Sequence, residues 1–122
     1  MASNRVLRVG PVLLTNTITT NILNPAAAGA GTGYTPTASY IIMRHVRLNN
    51  FTAGAITANL FISTTGDHTA GKEFLPSGLS VAANSAYDWY GMCRLDSTDF
   101  LVGDASAINS MSITIEGEVG LA

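Results

Sequence analysis

The segment Gly66-Asp67-His68-Thr69-Ala70-Gly71-Lys72 has the glycine-to-lysine spacing of a phosphate-binding loop. In such loops backbone N–H groups cradle the phosphates and the lysine reaches the outer ones. The residues that follow do not continue that chemistry. Glu73 stands where a hydroxyl should meet magnesium, and its carboxylate would repel phosphate. Pro76 and Gly78 come next, so no helix N-terminus is expected to hold an anion. Gly29-Ala30-Gly31-Thr32-Gly33 lacks the final spacing of a dinucleotide fingerprint and follows Pro25 rather than a strand–helix unit. Gly78-Leu79-Ser80-Val81-Ala82 begins like a nucleophile elbow but lacks the closing glycine. Each of these reads better as a loop or strand of a β domain.

The remaining reactive side chains are few. His45 and His68 are the only histidines and Cys93 the only thiol. Asp67 beside His68 is too little for a specific metal site, which needs three or four converging ligands. His45, between Arg44 and Val46 on a strand, reads as a surface or interface residue. No catalytic, cofactor or metal site is expected, and the chain is not read as an enzyme. Asn50-Phe51-Thr52 is a formal glycosylation acceptor, but Met1-Ala2-Ser3-Asn4-Arg5 leads into no apolar signal sequence. Synthesis in the cytoplasm is therefore expected.

Side chains suited to gripping another surface are better represented. Tyr87-Asp88-Trp89-Tyr90 is the one aromatic cluster; alternation places Tyr87 and Trp89 on one face and Tyr90 on the other. Trp89 reads first as a core anchor and second as a subunit contact. Arg44, Arg47 and Arg94 have the reach for bidentate pairs with Asp96, Asp99 or Asp104, within or between subunits. Arg5 and Arg8 flank an apolar stretch that suits an arm adding a strand to a neighbour. These eight residues form the expected interface: Arg5, Arg8, Arg44, Arg47, Tyr87, Trp89, Tyr90 and Arg94.

The elements that must position them are strands. Capped helical stretches are missing. Val6–Leu14, Thr15–Leu23, Ser39–Leu48, Ile56–Ser63, Leu79–Ala82, Ala86–Met92, Phe100–Val102 and Met111–Val119 carry β-branched, aromatic or alternating patterns. In the third, Tyr40, Ile42, Val46 and Leu48 fall on one side, and Asn49-Asn50 then suits a turn. In the fourth, Ile56, Ala58, Leu60 and Ile62 oppose Thr57, Asn59 and Ser63, with Phe61 out of place. In the last, Met111, Ile113, Ile115, Gly117 and Val119 alternate with Ser112, Thr114, Glu116 and Glu118. The expected fold is all-β, an antiparallel sandwich or jelly roll with an extended N-terminal arm. Residues 1–38 would be a strand or arm with an Ala/Gly-rich loop, and residues 39–122 the sandwich body, in one compact domain.

Composition narrows the class. The 122 residues include six Lys or Arg and eight Asp or Glu, 11% charged, for a net charge of −2. Ordinary domains carry about 25%. There is no basic field for nucleic acid, and no apolar run approaches the roughly 18 residues of a membrane span. Low charge points to a surface covered by partners, since the buried centres of interfaces are depleted in charge.

Tyr40-Ile41-Ile42-Met43-Arg44-His45-Val46-Arg47-Leu48 and Ala58-Asn59-Leu60-Phe61-Ile62-Ser63-Thr64-Thr65-Gly66 resemble stretches of small virion proteins of tailed bacteriophages. So do Ser80–Gly91 and the close Ile113-Thr114-Ile115-Glu116-Gly117-Glu118-Val119. The resemblance spans roughly residues 39 to 121 and is one of pattern. It implies a β-sandwich or jelly-roll subunit, a trimer favoured, seated on the capsid as a decoration (cement) protein against the major capsid protein. Its alternatives are a tail, head–tail connector or fibre-tip component, and, from a different class, a carbohydrate- or receptor-binding module using Tyr87–Tyr90.

Overall fold

The computed structural model describes residues 5–17, 21–23, 40–63 and 70–120, with Arg5 and Asn21 described in backbone only. Among these residues there is no helix. The strands are β1 Arg5–Leu13, β2 Asn21–Leu23, β3 Tyr40–Asn50, β4 Ile56–Ser63, β5 Leu79–Val81, β6 Ser85–Asp96, β7 Phe100–Ala105 and β8 Met111–Gly120. They form two antiparallel four-stranded sheets, ordered β1-β8-β3-β6 and β2-β7-β4-β5. The pairs are nested: β1 with β8, β2 with β7, β3 with β6, and β4 with β5. The expected all-β sandwich is what the chain forms.

Both sheets turn one apolar face inward, as the period of two requires. Leu7, Val9, Ile41, Met43, Val46, Leu48, Leu95, Met111, Ile113, Ile115 and Val119 come from the first sheet. Leu23, Ala58, Leu60, Val81, Leu101 and Ala105 come from the second. In β8 every apolar residue of the alternation is buried, as expected. In β4 Ala58 and Leu60 are buried and Ile56 and Ile62 partly so against the core, but on the polar side Ser63 is buried too, and Phe61 does not stand exposed there. It is buried opposite the equally buried Val102 of β7, outside the main core cluster.

Four expectations need correction. In β3 the buried residues are Ile41, Met43, Val46, Leu48 and Asn50, so Tyr40 and Ile42 face the other way. The cause is a bulge. Met43 pairs with Gly117 and His45 with Glu116, leaving Arg44 as an extra residue against β8; against β6 the same step has Gly91 and Met92 facing Arg44. One inserted residue reverses the facing of one half of a strand. Asn50 is not in a turn but ends β3, fully buried. Of the proposed strand Thr15–Leu23, only Asn21–Leu23 is strand among the described residues.

The fourth correction concerns the arm. β1 is an integral edge of the first sheet, paired with β8 from Arg5–Val119 to Leu13–Ser112. Leu7, Val9 and Leu14 lie at 1–2% exposure in the core. β2 likewise belongs to the body, so residues 5–17 and 21–23 do not stand apart from it. The Ala/Gly-rich segment 24–37 lies outside the described residues.

Candidate functional site

The outer face of the first sheet is laid out in rows by strand register. One row is Val6, Glu118, Ile42 and Arg94; the next is Arg8, Glu116, His45 and Tyr90; Thr114, Arg47 and Asp88 continue the third. The bulge at Arg44 turns two consecutive residues, Arg44 and His45, to this face, and Arg47 resumes the alternation. Opposite charges thus meet across neighbouring strands. Of six basic and eight acidic residues in the chain, Arg8, Arg44, Arg47 and Arg94 and Asp88, Asp96, Glu116 and Glu118 all belong to this face. By contrast, Asp104 is the one charged residue in the strands of the second sheet.

His45 is the hub. Its Nε2 lies 2.7 Å from Asp88 Oδ1 on β6, and its Nδ1 lies 3.1 Å from Glu116 Oε1 on β8. Its ring stacks on that of Tyr90, centroids 4.5 Å apart and planes 7° from parallel. Arg47 donates to both oxygens of Asp88, at 2.7 Å and 3.2 Å. Arg44 donates to Glu118 at 2.6 Å. At the sheet corner Arg94 donates to Asp96 at 2.7 Å and lies 4.4 Å above the Tyr40 ring. The hydrogen bond that His45 donates to Asp88 raises the His45 pKa above its ordinary 6.5, burial opposing and Glu116 assisting. Asp88 is lowered below its usual carboxylate value by Arg47 and then by His45. These side-chain contacts fasten β3 to β6 and β8 across the outer face.

Of the expected interface residues, the fold brings Arg8, Arg44, Arg47, Tyr90 and Arg94 onto this one face. Arg5 pairs with Val119 in backbone, one step beyond Val6. Tyr87 and Trp89 turn the other way, half-buried against the core, where Trp89 meets Phe74 edge to face at 4.9 Å. Gly91 lets the indole lie against the strand, since a Cβ there would stand 2.7 Å from it. The arginine pairings differ from expectation at two of three positions. Arg94 does take Asp96, but Arg44 takes Glu118 and Arg47 takes Asp88, because cross-strand register places those carboxylates nearest. His45, Asp88, Glu116 and Glu118 were not among the expected site residues; the signal was their placement opposite one another once β3 is aligned with β6 and β8.

The other sequence motifs resolve into structure. From the lysine loop, Gly71 N–H donates to the Glu73 carboxylate at 2.8 Å, so the acid itself takes the backbone donor. The chain then runs beside β4, with Ile62 N–H donating to Lys72 O and Phe74 N–H to Leu60 O. Residues 64–69 lie outside the described residues, including Asp67 and His68. Gly78, at φ +69, donates to Asn59 Oδ1 and leads into β5, not into an elbow. The Asn50 amide, the formal glycan acceptor, faces the Gly54, Val81 and Ala82 carbonyls at 2.8–3.1 Å. Cys93 is half-buried, and burial raises its pKa, which keeps the thiol in its unreactive form. No protein-family model matches the chain, and no curated protein matches it.

Proposed function

We propose that this chain is a structural assembly subunit of the virion-decoration type, joining copies of itself edge to edge. We read its nested strand wiring as the jelly-roll arrangement. The observation that carries the proposal is the pair of edges of the first sheet. On β1, Val6 is 90% exposed and Val12 and Leu13 are about half exposed; on β6, Tyr90 is 71% and Met92 65% exposed. Long sheet edges with apolar side chains template pairing with another chain, and proteins that do not use them usually blunt them with charge. Between Arg5 and Thr17 the charges are Arg5 and Arg8, and the ladder to β8 is interrupted once, between Val9 and Val12 at Pro11; the exposed apolar side chains stand on either side of that break.

The strand directions fit a head-to-tail contact. Directions alternate across β1-β8-β3-β6, so β6 of one copy meets β1 of the next antiparallel. A repeated head-to-tail contact closes into a ring when its rotation allows, and the trimer is the ring that the resemblance to virion proteins favours. Rings on a shell would then act through many weak contacts to the major capsid protein. The test is mass measurement of the purified chain by light scattering, together with its copy number in purified particles. A trimer at hundreds of copies per particle supports decoration. Six or twelve copies at one vertex would move the protein to the connector or tail, and a monomer absent from particles would end the proposal.

A further inference from the structure

We propose that His45 is a proton-operated clasp, adding to the strand ladders a side-chain tie from β3 to both β6 and β8 only while its ring carries both protons. The geometry makes the case. Both ring nitrogens sit at hydrogen-bonding distance from carboxylate oxygens, Nε2 at 2.7 Å from Asp88 and Nδ1 at 3.1 Å from Glu116. A carboxylate can only accept from them, so both contacts are satisfied only by the imidazolium. The His45 side chain is 16% exposed and Asp88 26%, whereas Glu116 is 55% exposed, so the Asp88 contact is the better shielded of the two.

The surroundings set which side lets go. From β6, Asp88 and Tyr90 face the ring; from β8, Glu116 with Glu118 beyond it; from β3 itself, Arg44 and Arg47; and on β1, Arg8 stands opposite Glu116. Neutral imidazole keeps one N–H. The shorter contact, to Asp88, retains it, and Asp88 stays anchored by Arg47. Nδ1 then turns a lone pair toward Glu116, and the β8 arm of the clasp opens. The inference is independent of the assembly reading, since it concerns the fold of one chain.

The sign of the pH dependence follows. The pKa of His45 is raised in the folded chain, so its contribution is full below the unfolded value near 6.5 and is lost as pH rises through the folded value. Asp88 acts in the opposite sense: its contribution is present above 3.8 and is lost as pH falls through its lowered value. The clasp is therefore strongest in mildly acidic solution.

The experiment is a ¹⁵N NMR titration of the His45 ring in the full chain from pH 5 to 9. His68→Gln leaves one histidine to observe. The expected result is a midpoint above 6.5 with both nitrogens in the imidazolium range below it. Glu116→Gln and Asp88→Asn should each lower the midpoint. Glu116 is 55% exposed, so its substitution spares the fold. A midpoint at or below 6.5, a single neutral tautomer at pH 6, or a midpoint unmoved by Glu116→Gln overturns the proposal.

Discussion

Asn50 shows how much one polar side chain can organise. It is fully buried at the end of β3. Its Nδ2 has two hydrogens and three carbonyls within reach, those of Gly54, Val81 and Ala82. Its Oδ1 accepts from the backbone and hydroxyl of Thr52. One amide therefore ties the end of the first sheet to the β3–β4 loop and to the chain leaving β5. Asn50→Ala removes these five hydrogen-bonding contacts, and the buried Val81 carbonyl loses a donor that water cannot readily replace, an unsatisfied buried group being worth about 1–3 kcal/mol. The expected loss is about 3 kcal/mol, a drop in Tm of roughly 10 °C in a domain of this size. Asn50→Asp should be equally harmful, because a carboxylate cannot donate to three carbonyls; thermal unfolding at neutral pH measures both. None of this was legible in the sequence, where Asn49-Asn50 looks like a turn. Composition records a residue's tolerance of a turn, not the carbonyls that long-range pairing brings to it. The αL asparagines were closer to the surface of the pattern: Asn84 and Asn109 have φ of 52° and 55°, each followed by serine near the start of β6 or β8.

At the scale of elements, legibility followed regularity. β8 alternates without interruption, and its inner and outer faces could be read directly. β3 could be read only from Val46 onward, because the bulge at Arg44 reverses the half before it. What permits the bulge lies on other strands. Gly117 sits against it, paired with Met43, and a Cβ there would collide with the carbonyl oxygen of Ile42. The sequence places that glycine in an otherwise perfect alternation, where it passes for a small inward residue. Gly117→Ala should force the two central strands apart and cost about 3 kcal/mol, the upper end of typical overpacking. Gly54→Ala is the matched control, since nothing lies within 4 Å of its Cβ position. Chemical denaturation of the two variants distinguishes backbone crowding from a general penalty on glycine replacement. Equal midpoints would mean that β3 and β8 have slack at the bulge. The same bulge places Arg44 and His45 side by side, so Gly117→Ala should also shift the His45 titration.

On the scale of the whole molecule, the low charge count acquires a location. Basic and acidic residues are gathered on the outer face of the first sheet, which leaves the strands of the second sheet nearly free of charge; on the two edge strands of the first sheet, exposed Val6, Val12, Leu13, Tyr90 and Met92 stand among the charges. Assembly through those edges makes a specific demand: substitutions at the edge must abolish association and leave the subunit folded. Val6→Glu and Met92→Glu meet it, because both positions are highly exposed and surface substitutions usually change stability by about 0.5 kcal/mol or less. Each should convert an oligomer to a folded monomer, with Tm unchanged for Met92→Glu and slightly lowered for Val6→Glu, whose new carboxylate stands opposite Glu118. Ile108→Glu is the control; it is 60% exposed, but in the turn between β7 and β8 rather than along a sheet edge. A head-to-tail contact adds a sharper condition. Val6→Glu and Met92→Glu lie on opposite edges, so each variant retains one intact edge and the mixture can form only the one contact that uses both. Heterodimers in that mixture, with neither variant dimerising alone, are expected for β6 meeting β1. Dimers of Val6→Glu alone would instead place the contact between two copies of β6, and a two-fold pair would replace the ring.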